Sequence, residues 1–334
     1  MAQNPLKEIL KEYEEKRIIA EQKAEEKKNK IFFQYPELQK VENEIHSYAI
    51  QSAKFALTSG HTINISDFSK NLEKLKKQKQ AILKSLNISE KDLAPIYECN
   101  ICQDTGYVKK ENHIVMCNCL KQRLYNSLYN TSNMGDLEKE NFSTFDLNYY
   151  SSECSPEKYH SNLSPRENIK KIKTICQDFI TNFSSNQQKN LLFTGNTGLG
   201  KTFLSNCIAK EILEKGHTVL YQTSQNLLDH IINNRFHSQS SDNFEQTVLD
   251  VDLLIIDDLG TESINSIKLA ELFNILNTRI LNQNRKLSKT IISTNLTLQD
   301  LFAIYDERIV SRLVGYYTIC RFFGEDIRFL KKGV

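Results

Sequence analysis

The stretch "NLLFTGNTGLGKTFLS", Asn190–Ser205, runs from an apolar segment through a glycine-rich loop into the start of a helix. Gly195, Gly200, Lys201 and Thr202 have the spacing G-x-x-x-x-G-K-[ST] of a phosphate-binding loop. Glycine permits tight turns and lets the backbone approach a ligand closely. Backbone N–H groups at a helix N-terminus bind anions. The stretch therefore predicts a strand, a phosphate-binding loop and a helix, which together form a nucleotide site.

Two side chains of this loop carry the expected chemistry. In loops of this kind the lysine bridges the β- and γ-phosphates and the following hydroxyl ligates Mg²⁺, so these roles fall to Lys201 and Thr202. The predicted cofactors of this site are ATP and Mg²⁺. The predicted nucleotide-binding residues of the loop are Gly195, Asn196, Thr197, Gly198, Leu199, Gly200, Lys201 and Thr202.

Downstream of the loop, short apolar segments alternate with longer helical patterns. Apolar strands separated by helices are typical of a parallel sheet that is covered on both faces. We therefore predict the α/β class, with a parallel sheet flanked by helices. The predicted strands are 190–195, 218–223, 251–257 and 289–295, and the predicted helices between them are 200–216, 224–236 and 267–284.

The third of these strands, in "LLIIDDLG", ends in two carboxylates. Ligands of open α/β sheets bind outside the carboxyl ends of the strands. Asp257 is therefore expected to support Mg²⁺, and Asp258 to polarise the attacking water. Asn295 ends the next strand, "TIISTN", where it would reach the γ-phosphate or the water. Asp258 is shorter than the glutamate common at such positions, which leaves a non-hydrolysing use of ATP open.

Three arginines complete the set of candidate catalytic residues. Arg308 and Arg312 in "DERIVSRL" are four residues apart and share a helix face. Arg328 follows in "FFGEDIRFLKK", near the C-terminus. For each of the three, a structural ion pair is the alternative interpretation.

These motifs, in this order, resemble those of AAA+ ATPases. More narrowly, they are similar to the DnaC/DnaI-type replicative helicase loaders and to the related IstB-type transposition helpers. The resemblance runs from about Asn141 to the end of the chain and rests on "GNTGLGKT", "LLIIDDLG", "IISTN", "ERIVSRL" and "GEDIRFLKK". It implies an AAA+ P-loop NTPase domain, which we place at 164–334 after a linker at 136–163 that packs on it.

The resemblance also implies roles for the polar residues outside the loop. Asn295 corresponds to the first sensor, and Arg328 to the second sensor, which contacts the γ-phosphate in the same subunit. Arg312 is expected to be the arginine finger that reaches the ATP of a neighbouring subunit, with Arg308 as the alternate. A finger offered by a neighbour makes hydrolysis depend on self-assembly into a ring or helical oligomer.

The segment before this domain is expected to be a helical domain at 1–135. Charged helical patterns cover Pro5 to about Lys30, Ile31–Leu57 and Ser66–Leu86, and Ser59-Gly60-His61 breaks the second from the third. Another short helix is expected from Leu120 to about Asn130. The domain is interpreted either as a partner-docking module or as a solvated bundle.

Within it, "ECNICQDTGYVKKENHIVMCNCL" holds four of the eight cysteines of the chain. Four thiolates around one loop suit a structural Zn²⁺ site, and Gly106 allows the loop to turn. His113 lies between the two pairs as an alternative ligand, and a segment without metal stays possible. DnaI-type loaders are similar in carrying an N-terminal zinc-binding domain that engages the helicase. The predicted ligands of this knuckle at 99–119 are Cys99, Cys102, Cys117 and Cys119.

Composition and charge exclude some functions and leave others open. The net charge of +2 supports neither bulk nucleic-acid binding nor membrane binding. No segment is apolar enough to span a bilayer, and the charged N-terminus lacks the apolar core of a signal peptide. We expect a cytoplasmic protein with reduced thiols and no membrane partner.

A DNA contact is expected on the helix after the second strand, "SQNLLDHIINNRFHS". In the related loaders this helix lies near single-stranded DNA. Arg235 would contact a phosphate and Phe236 would stack on a base. An amphipathic helix that only packs on the core explains the same pattern.

The resemblance favours an ATP-dependent loader that delivers a DnaB-type replicative helicase onto single-stranded DNA during replication. The alternative is an IstB-like helper ATPase that acts with a transposase on duplex DNA. The helical N-terminus and the cysteine knuckle favour the loader. A small-molecule kinase and an adaptor that binds ATP without hydrolysing it are further possibilities.

Overall fold

A computed structural model describes most of the chain as two compact units, Met1–Cys117 and Asn118–Val334. Among the described residues, no helix is both long and apolar enough to cross a membrane. The described residues are 5–58, 65–111, 113–129, 137–236 and 244–331, without the side chains of 52–58, 65–69, 236 and 330–331.

The first unit contains the expected helices and a small hairpin. The break between the first two helices lies at Tyr35-Pro36 and not at residue 30, because proline lacks an N–H and restricts the residue before it. The predicted break at 59–61 lies outside the described residues. The elements are α1 (Pro5–Gln34), α2 (Pro36–Thr58), α3 (Ile65–Ser85), a 3₁₀ turn (Glu90–Leu93), β1 (Tyr107–Lys110) and β2 (His113–Met116).

One buried carboxylate connects the three helices of this unit. Glu42 of α2 lies 3.4 Å from the ammonium of Lys28 on α1 and 2.8 Å from that of Lys79 on α3. Phe32, Leu38 and Leu83 form the buried apolar contact beside it.

The second unit holds one five-stranded sheet with helices on both faces. Its elements are α4 (Asn118–Leu128), a 3₁₀ turn (Leu147–Tyr149), α5 (Pro156–Tyr159), α6 (Pro165–Thr181), β3 (Asn190–Thr194), α7 (Lys201–Glu214), β4 (Val219–Thr223), α8 (Ser224–Phe236), α9 (Phe244–Asp250), β5 (Leu253–Leu259), α10 (Ser266–Asn282), β6 (Lys289–Thr294), α11 (Leu298–Ile304), α12 (Glu307–Tyr316), β7 (Tyr317–Arg321) and α13 (Ile327–Lys331).

The strands of this sheet are parallel, in the order β4-β5-β6-β3-β7. Alternate strand residues enter two separate cores, so that Leu192 packs on one face and Leu191 and Phe193 on the other. The predicted fold class is therefore confirmed. Four short helices, α5, α9, α11 and α13, and the edge strand β7 were not predicted. Only Tyr317 and Cys320 of β7 are buried, so this strand lacks a continuous buried apolar run.

The second unit begins earlier than the expected boundary after residue 135. Asn118 of α4 donates a hydrogen bond to the carbonyl of Gly216 at 3.0 Å. The side-chain amide of Gln122 donates to the carbonyl of Val219 at 2.9 Å and accepts from the N–H of Val219 at 2.7 Å. These bonds tie α4 to the edge of the sheet. In the expected linker, several aromatic side chains pack on the core beside α6 and α7, among them Phe142, Phe145 and Tyr150.

Candidate functional site

The phosphate-binding loop joins the carboxyl end of β3 to the start of α7. Gly195 and Gly198 have positive φ angles of 137° and 71°, which favour glycine. Neighbouring atoms also leave no room for a side chain at either glycine. A Cβ built on Gly195 would lie 2.2 Å from the carbonyl oxygen of Phe322, and one on Gly198 would lie 1.9 Å from a carboxylate oxygen of Asp326. The loop is thus held tightly against the segment after β7.

Lys201 projects back across this loop. Its ammonium donates hydrogen bonds to the carbonyls of Gly195 at 2.6 Å and Asn196 at 2.7 Å, and to Oδ1 of Asn295 at 2.8 Å. Burial lowers the pKa of Lys201 to about 8, while Asp258 and Asp257 act in the opposite direction. The structure thus brings together the lysine and the asparagine that the sequence placed on separate elements.

Asp257 and Thr202 form the candidate magnesium position. The Thr202 hydroxyl donates to Asp257 Oδ2 at 3.2 Å, and Tyr221 donates to the same oxygen at 2.7 Å. Ser293 donates to Oδ1. Oxygen ligands from one carboxylate and one hydroxyl suit Mg²⁺, which keeps several waters. Tyr221 and Ser293 were not predicted, although a serine inside the buried strand "TIIST" was a signal for the second of them.

Asp258 departs from the regular strand. Its φ is +56°, and the pairing of β5 with β6 shifts register between Ile256 and Leu259. The Asp258 N–H donates to the hydroxyl of Ser293 at 3.1 Å. Burial, followed by the neighbouring Asp257 charge, raises the pKa of Asp258. The irregularity gives two consecutive aspartates different surroundings, as separate roles in metal binding and water activation require.

A cavity of about 410 Å³ opens over these groups. This volume is within the range of about 300–1,000 Å³ that is usual for small-molecule and cofactor sites. Predicted residues from the loop and from β5, β6 and α13 converge on it. Its lining residues are Glu140, Thr197, Gly198, Leu199, Gly200, Lys201, Thr202, Phe203, Asp258, Asn295, Ile327 and Arg328.

Arg328 lies at the rim of this cavity. Its guanidinium binds the Asp326 carboxylate through two nitrogens, at 3.1 and 2.8 Å. The same carboxylate stands beside Gly198. A phosphate group entering the loop would therefore meet Asp326 and compete with it for Arg328.

The other two arginines lie on α12, away from the lining residues of the described cavity. Arg308 is paired with Asp306 at 3.0 and 2.9 Å, and its side chain is 69% exposed. The guanidinium of Arg312 stacks 4.4 Å from the centre of the Phe273 ring and donates to Asn277 at 2.9 Å. Arg308 therefore has the ion pair of the structural interpretation, whereas these contacts of Arg312 are with neutral groups.

The four predicted cysteine ligands form a cluster in which all four sulfur atoms lie within 4.8 Å of one another. The sulfurs of Cys99 and Cys117 are 3.9 Å apart. Four sulfurs at about 2.3 Å from one tetrahedral zinc would be separated by about 3.8 Å. A disulfide would need about 2.05 Å. The donor set therefore fits Zn²⁺.

A buried carboxylate shapes the first loop of this cluster. Asp104 is 4% exposed and accepts hydrogen bonds from the backbone N–H groups of Glu98 at 2.9 Å and Cys99 at 2.8 Å. The sequence showed no sign of this role. The alternative ligand His113 is exposed at the start of β2, and the cluster found among the described residues does not include it.

Arg235, the residue expected to contact DNA, forms ion pairs with two carboxylates. Arg235 is bound by Glu245 at 2.7 Å and by Glu271, whose side chain is 8% exposed. The expected phosphate contact stays a prediction, and it would require the guanidinium to leave these two carboxylates. The side chain of Phe236 lies outside the described residues.

Comparisons with known proteins agree with this geometry. The sequence model of the family described as "IstB-like ATP binding protein" matches residues 152–320, just over half of the 334 residues. This range covers the phosphate-binding loop, both aspartates of β5, Asn295 and the two arginines of α12.

Two curated relatives match the same part of the chain. The replicative helicase loader DnaC of Escherichia coli K12 is 26% identical over 164 residues, which are 48% of this chain and 62% of DnaC. The uncharacterized protein YdaV of the same strain is 25% identical over 161 residues, 48% of this chain and 61% of YdaV. The matches thus span about six tenths of the length of these relatives.

Solved structures give a limited likeness. A crystal structure of the DnaC helicase loader has a TM-score of 0.42 at 26% identity, and the match covers 53% of this chain and 99% of that one. A crystal structure of DnaI has a TM-score of 0.40 at 22% identity, covering 55% and 94%.

Proposed function

Because this chain belongs to the family of IstB-like ATP-binding proteins, we propose that it is an ATPase that delivers a DnaB-type replicative helicase onto single-stranded DNA. The observation that carries the ATPase part is the convergence of Lys201, Thr202 and Asn295 on one cavity, with Asp257 hydrogen-bonded to Thr202 behind its lining. Those groups come from three elements, and together they offer a cation, an amide and a metal position.

The residues of the chain would act on ATP in distinct ways. Lys201 would exchange its hydrogen bonds to the loop carbonyls for hydrogen bonds to the phosphates. Asn295 would keep the ammonium of Lys201 directed at the γ-phosphate. Thr202 and Asp257 would hold Mg²⁺, which would supply positive charge against the charge that develops on the phosphates. Asp258 orients the attacking water and accepts its proton. Its raised pKa brings it nearer to neutral pH, where a general base is more effective.

Two features support the loader over the transposition helper. DnaC, named as a replicative helicase loader, is one of the curated relatives. In addition, helices and a four-cysteine cluster precede the ATPase motifs, as in the DnaI-type loaders that this sequence resembles. The family description as IstB-like keeps the helper, with a transposase on duplex DNA, as the second candidate.

The partner can be identified with the full chain as bait. We expect it to retain a replicative helicase from an extract of its own organism, and to increase the amount of purified helicase bound to circular single-stranded DNA when ATP is present. A variant that cannot bind ATP, Lys201→Met, is the control for nucleotide dependence. Recovery of a transposase, without any increase in helicase bound to DNA, would contradict the loader assignment.

Arg312 is expected to act on the ATP of a neighbouring subunit. Arg312→Ala should lower ATP turnover by about 10³-fold and leave ATP affinity unchanged, since an arginine finger stabilises only the transition state. Arg308→Ala is the matched control on the same helix and should retain most of the activity, because Arg308 is already paired with Asp306.

Mixing two inactive variants tests whether this action is in trans. An Arg312→Ala subunit keeps its nucleotide site, and a Lys201→Met subunit keeps its finger. Their mixture is therefore expected to recover part of the turnover that each lacks alone. A mixture as inactive as its components, or an Arg308→Ala variant that loses as much turnover as Arg312→Ala, would show that the finger is assigned wrongly.

A further inference from the structure

A buried carboxylate lies beside the turn that follows β5. It belongs neither to the lining of the nucleotide cavity nor to the candidate magnesium position. Glu262 follows β5 in the chain and is 6% exposed. Its Oε2 accepts hydrogen bonds from the backbone N–H of Gly260 at 2.8 Å and the hydroxyl of Ser224 at 2.6 Å. Its Oε1 accepts one from the hydroxyl of Tyr305. Glu262 thus connects the turn after β5 with the start of α8 and the end of α11.

The hydroxyl of Ser224 lies between Glu262 and the backbone of Asp258, so its single proton is shared between two acceptors. The Ser224 hydroxyl also contacts the carbonyl oxygen of Asp258 at 3.0 Å, and Thr261 donates to that oxygen at 2.8 Å. Asp258 has a φ of +56°, a conformation that non-glycine residues rarely adopt. Such a conformation persists only where the surroundings hold it. Glu262 contacts the backbone around Asp258 on two sides, through the hydroxyl of Ser224 and the N–H of Gly260.

Stability alone is a poor reason for a carboxylate at this position. Burying a carboxyl group is costly unless hydrogen bonds compensate it, and an apolar side chain of similar size often serves stability as well. Other buried glutamates of the chain, Glu42 and Glu271, contact cations. The contacts found for Glu262 are with a tyrosine, a serine and a backbone amide. These hydrogen bonds fix the orientation of the Glu262 side chain and of the groups around it, because each donor must point at a particular carboxylate oxygen.

We propose that Glu262 is a positioning residue, which holds the turn after β5 so that Asp258 stays aligned with the water that attacks ATP. The inference rests on the proposed ATPase activity and adds a residue to it. Glu262 lies outside the described lining of the nucleotide cavity, so it acts through Asp258 and touches no substrate. The Tyr305 hydroxyl donates to Oε1 of Glu262, and burial together with this bond raises the pKa of Tyr305.

Turnover and ATP affinity should respond differently when this network is weakened. Glu262→Gln keeps the shape of the side chain but removes one acceptor, and it is expected to lower kcat about tenfold, since small misplacements of a reacting group cost one to two orders of magnitude. The dissociation constant of ATP should change less than about twofold. Tyr305→Phe, which removes a single hydroxyl, should produce a smaller loss of the same kind. Glu214→Gln is the matched control, because Glu214 is 60% exposed at the end of α7.

A double variant separates positioning from a general loss of structure. In the Asp258→Asn background, Glu262→Gln should cause little further loss of kcat, because the group that it positions is already gone. Losses that multiply, or a kcat of Glu262→Gln equal to that of the wild type, would overturn the positioning role. If Glu262→Gln fails to fold, Tyr305→Phe decides by the same criteria. A wild-type chain without ATP turnover would overturn the proposed function and this inference together, whereas an active wild type with an unaffected Glu262→Gln overturns only the inference.

Discussion

Replacing Lys201 with Met is expected to weaken ATP binding by about 100-fold or more. Lys201 is 6% exposed, and its ammonium lies among two loop carbonyls and Asn295, where the phosphates would enter. Hydrogen bonds to charged groups contribute about 1.5–3 kcal/mol each, and two of them correspond to at least about 100-fold in affinity. Methionine keeps the approximate length of the side chain and removes these donors.

Titration with a fluorescent ATP analogue measures this effect, and thermal unfolding with and without ATP provides a second readout. Lys210→Met is the matched control, because Lys210 lies on the same helix and pairs with Glu214 at 3.9 Å, outside the cavity lining. The control should bind ATP like the wild type. An unchanged dissociation constant for Lys201→Met would place the nucleotide elsewhere and remove the basis of the proposed ATPase.

The second large effect is expected at the cysteine cluster. The full chain, purified under reducing conditions, should carry about one zinc ion, and Cys102→Ser should lose it. Structural zinc contributes about 10–16 kcal/mol of apparent binding free energy in small domains, which becomes folding free energy. β1 and β2 have four residues each, and hairpins this small are marginal without such support. We therefore expect the hairpin to unfold when zinc is removed.

Metal analysis by mass spectrometry and thermal unfolding with a chelator measure both consequences. Cys154→Ser is the matched control, because Cys154 is exposed and lies outside the cluster. It should keep the zinc content and the unfolding temperature of the wild type. A wild-type chain free of zinc, whose unfolding does not respond to chelators, would make these cysteines ordinary thiols. His113→Ala is expected to keep the zinc content and the unfolding temperature of the wild type, since the cluster does not include that histidine.

Much of the nucleotide site could be read from short motifs. A phosphate-binding loop requires glycines and a lysine at fixed spacing, and "LLIIDDLG" and "TIISTN" each join an apolar strand to the polar groups at its end. Such signals are local, because a few neighbouring residues determine the backbone and the direction of the side chains. The parallel sheet followed from the alternation of strands and helices, and the cluster of four cysteines followed from their spacing.

Other features depended on residues that are distant in the chain. Glu262 meets Tyr305 across 43 positions, and Arg235 meets Glu271 across 36. A single charged or polar residue in a sequence does not reveal its partner, so nothing in the sequence pointed to the two carboxylates that pair with Arg235. In the same way, Ser293 and Tyr221 reach Asp257 because β4, β5 and β6 lie side by side. The spacing of residues along the chain was enough to predict the groups that would meet the phosphates. The groups that hold those residues in place depend on the packing of the sheet and its helices, because such contacts arise only when distant segments fold together.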